Sequence, residues 1–288
     1  MPFNLKPSRV FYGWWIVFAT FLISIYSGGV IYYGFTVIFE PIVNEFGWEY
    51  AQVSLAASLR GLEMSILAPV FGVFVDRWGP RKLAFGGLFI GGLGLALLSR
   101  VTSLSMFYVA FALISIGVSS TSSAVLMVAI ANWFYRKIGL ATGIASSGFG
   151  FGGLLIPAIV RLVDLYGWRM TMLIFAFGVF VVCLPLTLLI RHRPEQYGYL
   201  PDGEKLKVAV VDKNVVPVQA VRVEGRARRV LKNRVFWHIT LALSFQIMIM
   251  MAVITHVMPY LSSVGVSRAI SSLVATSVPL LSIIGRVG

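Results

Sequence analysis

Charged residues are missing from long stretches of this chain, and the gaps between them mark out its elements. No Asp, Glu, Lys or Arg falls between Arg9 and Glu40, Lys82 and Arg100, Arg100 and Arg136, Lys137 and Arg161, Arg169 and Arg191, Arg234 and Arg268, or Arg268 and Arg286. Crossing the hydrocarbon of a bilayer takes about 20 mostly apolar residues at about 1.5 Å of rise each, which these seven intervals supply or approach. An eighth interval, from Glu49 to Asp76, is interrupted only by Arg60 and Glu63, near its middle. The residue-by-residue alternation of a membrane barrel is absent. The pattern predicts an all-α polytopic membrane protein with helices at about 12–38, 51–75, 83–99, 104–131, 138–160, 170–190, 236–260 and 267–288. The eighth stops inside an apolar run, so we read the chain as truncated within it.

One long polar stretch, 191–234, interrupts this series and carries the basic run Arg222, Arg226, Arg228, Arg229, Lys232 and Arg234. It divides the chain into a six-helix half (1–190), a basic linker (191–234) and the start of a second half (235–288). Six helices, a loop and a second group is the layout of transporters built from two six-helix halves.

Composition agrees: 58% of residues are apolar, 12% are charged and the mean hydropathy is +0.87, far from the roughly 25% charged of soluble domains. The single cysteine, Cys183, excludes an intrachain disulfide framework and a multi-cysteine metal site. A net charge of +13 invites a nucleic-acid reading, but its distribution removes it. With the N-terminus cytoplasmic, the internal segments hold eighteen Lys and Arg and the external ones four; without the long linker the count is seven against four. That is the positive-inside asymmetry. The charge therefore records orientation in a cell membrane, inner or plasma, and meets anionic lipid. No removable signal peptide is evident, since the first apolar run far exceeds a signal core.

Between the second and third predicted helices the chain reads Gly72-Val73-Phe74-Val75-Asp76-Arg77-Trp78-Gly79-Pro80-Arg81-Lys82. Glycines suit a tight two-helix turn, and an acid beside three cations can form charge-assisted bonds that lock a helix pair. The segment resembles the loop 2–3 signature of the major facilitator superfamily at every named position: Gly72, Asp76, Arg77, Gly79, Arg81 and Lys82. Tyr12-Gly13-Trp14-Trp15, Glu45-Phe46-Gly47-Trp48, Trp133-Phe134-Tyr135-Arg136-Lys137-Ile138-Gly139 and Tyr166-Gly167-Trp168-Arg169 are similar to the monocarboxylate-porter and oxalate:formate-antiporter branch. The resemblance implies a fold of six plus six helices, about eight of them present here. It also implies a carrier of small organic anions, mono- or dicarboxylates, working by alternating access with a proton or an exchange gradient. The loop signature would then act as a conformational latch.

Three sets of residues are candidates for the chemistry. Arg60 and Glu63 share a helix face at mid-membrane depth, where charge is costly and marks a pathway or relay by default. Glu63 is the candidate proton or gating carboxylate, with Arg60 its partner or an anion contact; the alternative is that they neutralise one another, or a neighbouring helix, as a structural pair. Arg286 offers a planar fork suited to carboxylate. In the resembling family a helix 8 arginine binds substrate, and Arg286 lies where it is expected, although a snorkelling arginine is the other reading. Tyr26, Tyr32 and Tyr33 of helix 1 and His256 of helix 7 complete the set, Tyr33 as a substrate contact and His256 in coupling or gating. Animal monocarboxylate carriers have a helix 1 lysine near Tyr33, and its replacement here counts against their particular proton-coupled mechanism.

The glycines and serines of 139–153 suit close helix packing, and no Gly-Lys-Ser/Thr follows them to make a phosphate cradle. A membrane enzyme is disfavoured, because the chain has three histidines and neither His-Glu-x-x-His nor Gly-x-Ser-x-Gly. No cofactor and no metal site is indicated. An exporter of neutral or drug-like solutes and a non-transporting sensor remain as alternatives.

Overall fold

The computed structural model describes residues 11–191, 194–197, 199, 202 and 234–287. The basic run of the linker and the first ten residues lie outside these. Among the described residues, six continuous stretches are long and apolar enough to cross a membrane. We label α1 Gly13–Phe46, α2 Tyr50–Trp78, α3 Pro80–Leu98 and α4 Leu104–Trp133. The stretch Ile138–Leu189 is two helices, because Gly167 breaks it at φ 77° and ψ 160°; these are α5 (138–166) and α6 (168–189). α7 is Arg234–Ser263 and α8 is Arg268–Val287.

The order and number agree with the charge pattern, while several ends extend past it. α1 continues beyond Glu40 and stops at Gly47, whose φ of 64° lies in the left-handed region. A carboxylate ends the apolar core of a span without ending its backbone ladder, so charge-free intervals underestimate helices whose ends leave the hydrocarbon. A reciprocal capping box between Glu49 and Gln52 starts α2. Gly79, at φ 80°, closes α2, and Pro80 opens α3.

Apolar burial gives helices little reason to associate in lipid, so close packing and interhelical hydrogen bonds hold the bundle. α3 and α4 cross on glycines: a Cβ added at Gly117 would lie 2.6 Å from Gly91 Cα. α1 and α5 meet through matched irregularities. Residues Ser27–Tyr33 of α1 form a π-helical turn and Gly152–Leu155 of α5 a 3-10 turn. A Cβ on Gly152 would stand 2.6 Å from Gly29 N. α7 packs on the second half of α1, where Thr36 Oγ1 donates to Thr255 O at 3.3 Å, and α8 packs on α5.

The aromatic segments singled out in the sequence fasten α1 to α6 at both ends. At one end Trp168 Nε1 donates to Glu45 Oε2 at 2.6 Å, Arg169 Nη2 meets Glu45 Oε1 at 2.7 Å and Arg169 Nη1 donates to Ser99 O at 3.0 Å. At the other, Tyr12 Oη donates to Leu189 O at 3.0 Å and Trp133 Nε1 to Arg191 O at 3.1 Å. The Arg191 guanidinium lies 3.9 Å from the Tyr12 ring and 4.0 Å from that of Tyr197. Midway, Tyr26 Oη donates to Phe175 O at 2.6 Å.

Candidate functional site

α2 carries small side chains at helical spacing along one face: Ser54, Ala57, Ser58, Gly61, Ser65 and Ala68. Small residues leave room, and a cavity of about 740 Å³ lies between this face and α7, with Arg60, Tyr32, Met64, Thr255 and His256 also in its wall. Arg60 is 5% exposed. Its Nη1 donates to Ile31 O at 3.0 Å, within the π-helical turn of α1, and its Cζ sits 4.7 Å from the Tyr32 ring centroid and 6.0 Å from that of Phe35. A guanidinium presents five N–H donors. Among the described residues this one carbonyl is the hydrogen-bond acceptor that Arg60 has, and no carboxylate pairs with it. A buried cation neutralised only by aromatic faces and one carbonyl dipole is strongly attractive to an anion.

The structure separates the two intramembrane charges. Glu63, half-buried, has the Ser115 hydroxyl of α4 within hydrogen-bonding reach, and the ion pair found among the described residues is Arg169–Glu45, not Arg60–Glu63. The self-neutralising pair is therefore absent. His256 is exposed at the cavity wall, with its ring 6.3 Å from Phe39. Tyr33 is buried at the contact of α1 with α5, α7 and α8, its ring 5.7 Å from that of Phe149. Its neighbour Tyr32, named with it among the candidates of helix 1, lies in the wall of the larger cavity. Arg286 falls in α8, and its side chain lies outside the described residues. Asp76, Arg77, Arg81 and Lys82 are exposed at the α2–α3 turn, far along α2 from Arg60, and Asp76 forms no ion pair with them.

A second chamber, of about 280 Å³, adjoins the first, and Tyr32 and Met64 line both. Tyr32 Oη donates to Met64 Sδ at 3.2 Å, and the Phe149 ring meets the Tyr32 ring edge-on at 4.8 Å. Met64 and Phe149 were missed in the sequence, although Met64 stands four residues after Arg60 and so on its face.

Comparison with known proteins adds three findings. The family model described as Major Facilitator Superfamily matches residues 8–288. The oxalate:formate antiporter of Oxalobacter formigenes is 28% identical over 213 residues, 73% of this chain and 48% of that protein. Monocarboxylate transporter 13 of Bos taurus is 28% identical over 175 residues, 60% of this chain and 41% of that protein. The chain thus spans less than half the length of these curated relatives. In fold, it is similar to the crystal structure of a bacterial homolog to the human lysosomal transporter Spinster, inward-facing and unoccupied. The TM-score is 0.69 at 18% identity, over 98% of this chain and 62% of that one.

Proposed function

The chain belongs to the major facilitator superfamily, and on that premise we propose that it is part of a transporter, not an enzyme: a secondary carrier of small organic anions, mono- or dicarboxylates. The carrier works by alternating access between a six-helix half (1–190) and a second half beginning at 235, joined by the linker 191–234, with the N-terminus and linker cytoplasmic in a cell membrane. Arg60 is the anion contact from the first half, Arg286 the one from the second, and Tyr32 frames the anion beside Arg60. Glu63 handles the coupling proton, and His256 lines the approach. The observation that carries this reading is the buried Arg60 guanidinium, open to a cavity and, among the described residues, unpaired with any carboxylate. Charge of that kind is retained in a membrane core where it is used.

The test is uptake of radiolabelled mono- and dicarboxylates into proteoliposomes holding a chain with both six-helix halves, with and without a pH gradient. Arg60→Gln and Arg286→Ala each lower uptake on the order of 30-fold or more, the cost of removing one partner of a desolvated charge pair. Arg60→Lys recovers part of it, because the charge remains while the fork is lost. Undiminished uptake by folded Arg60→Gln removes the residue from the anion site. A neutral-solute exporter is the second reading, favoured by the methionines Met64, Met248 and Met250 in the wall, since thioethers adapt to varied apolar ligands. Uptake of uncharged solutes that is indifferent to Arg60→Gln would decide for it.

A further inference from the structure

The smaller chamber, between α1, α2, α4 and α5, is mostly apolar where it is open. Half of its twelve lining residues are Ser or Thr, but they contribute little oxygen to its surface. Thr20 Oγ1 and Ser27 Oγ have no exposed surface. Thr121 and Ser146 turn their hydroxyls back on their own helices, donating to Val118 O at 3.2 Å and to Gly143 O at 3.1 Å, as helical serines and threonines do by default. The rest of the wall is carbon and sulfur from Tyr32, Met64, Val118, Leu126, Met127 and Phe149, and no lining residue carries a charge. An ionised group entering this space is stripped of water with nothing to pair it, whereas methylenes or an aryl ring gain by leaving water.

The position of the chamber says what an apolar occupant is attached to. Tyr32 and Met64 line both chambers, while Arg60 lines the larger, its Cζ 4.7 Å from the Tyr32 ring. Tyr32 Oη is held by a thioether, a weak acceptor, and methionine adapts its shape readily, so this partition yields to a chain of modest width. The chamber measures about 280 Å³. An apolar cavity of about 150 Å³ already holds benzene, so an aryl ring or several methylenes fit. Resting on the anion-carrier reading above, we propose that the chamber is the subsite for an apolar body of the substrate. The preferred substrates are monocarboxylates with a medium-length alkyl or an arylalkyl body, about six to eight carbons in all, ahead of shorter acids and of dicarboxylates. The carboxylate meets Arg60, and the chain passes Tyr32 to lie against Leu126, Met127 and Phe149. A dicarboxylate of equal length brings its second charge into that wall.

The experiment measures binding of butanoate, hexanoate, octanoate and adipate to the purified carrier with both six-helix halves, in lipid nanodiscs, by calorimetry against empty discs. Kd falls about threefold for each methylene added from butanoate to octanoate, the gain from burying a CH2 group, and adipate binds on the order of 30-fold more weakly than hexanoate. Ser146→Leu fills the chamber, and Met127→Gln makes its wall polar at nearly constant shape. Each reduces the octanoate-to-butanoate preference about fivefold or more, and the series in the unsubstituted carrier decides the question even where a variant fails to fold. Affinity independent of chain length, adipate equal to hexanoate, or a preference untouched by both variants overturns the subsite. Arg60→Gln separates this from the reading it rests on. Loss of butanoate and octanoate binding alike in Arg60→Gln supports the carboxylate anchor, and a flat chain-length series beside that loss overturns the chamber alone. Acid binding that survives Arg60→Gln, or none in the unsubstituted carrier, overturns the anion reading and the subsite with it.

Discussion

Arg60 and Glu63 stand three residues apart on α2, close enough on a helix surface for an ion pair, yet each goes to a different helix. Arg60 turns to the carbonyl of Ile31 and the ring of Tyr32 on α1, and Glu63 to Ser115 on α4. Sequence spacing puts both near the middle of α2, one turn apart. It could not give the choice of partner, which depends on what neighbouring helices bring within reach of two long side chains. Separation also gives the two charges separable jobs in the proposed carrier. Glu63→Gln should abolish the stimulation of uptake by an inward proton gradient while leaving carboxylate exchange at equal pH within about twofold; comparing the two modes in one proteoliposome preparation checks it, and an unchanged response to the gradient takes the proton away from Glu63. Tyr32 and Tyr33 illustrate a second limit. Successive helical residues point about 100° apart, and the π-helical turn at Ser27–Tyr33 shifts the phase of all that follows. Which of the two adjacent tyrosines faces the larger cavity therefore depends on a turn that the sequence does not announce.

At the scale of elements, glycine patterns that read in the sequence as general packing acquire particular partners. The π-helical turn of α1 and the 3-10 turn of α5 fit together because Gly29 and Gly152 present bare backbone to each other. A side chain at Gly152 meets main-chain atoms, Gly29 N at 2.6 Å and Ile25 O at 2.7 Å, which cannot swing aside. Gly152→Val should therefore destabilise the bundle by about 3 kcal/mol, at the upper end of overpacking costs, read as a lowered midpoint of thermal aggregation in detergent. Gly139, with open space around it, is the control, and Gly139→Ala should leave the midpoint unchanged. The order of the helices was legible because charge is so costly in hydrocarbon that its absence outlines every span but α2, which Arg60 and Glu63 interrupt. The purpose of the aromatic segments was not. Glu45 and Trp168–Arg169 lie more than a hundred residues apart in sequence, and only the fold shows that they are two sides of one fastening.

Taken whole, the molecule has a basic and a less basic end, and the α2–α3 turn with Arg77, Arg81 and Lys82 lies at the first. If the charge asymmetry orients the protein as the positive-inside rule has it, Lys82 and Arg100, at opposite ends of α3, face opposite sides of the membrane. Cys183 is fully buried, so a Cys183→Ser background tolerates single introduced cysteines. Lys82→Cys should react with an impermeant maleimide only after the cytoplasmic face is opened, and Arg100→Cys in intact cells; the reverse pattern inverts the topology.

The fastenings between α1 and α6 have a mechanical meaning. α1 is a beam of 34 residues, pinned to its neighbour near Tyr12, at Tyr26 and at Glu45. Between the last two pins lies its most compliant section, the seven residues whose hydrogen-bond ladder departs from the α pattern. Strain imposed on such a beam concentrates where it is softest. That section holds the carbonyl that anchors Arg60 and the ring that divides the two chambers, so flexure of the first half is delivered to the atoms that would grip the cargo.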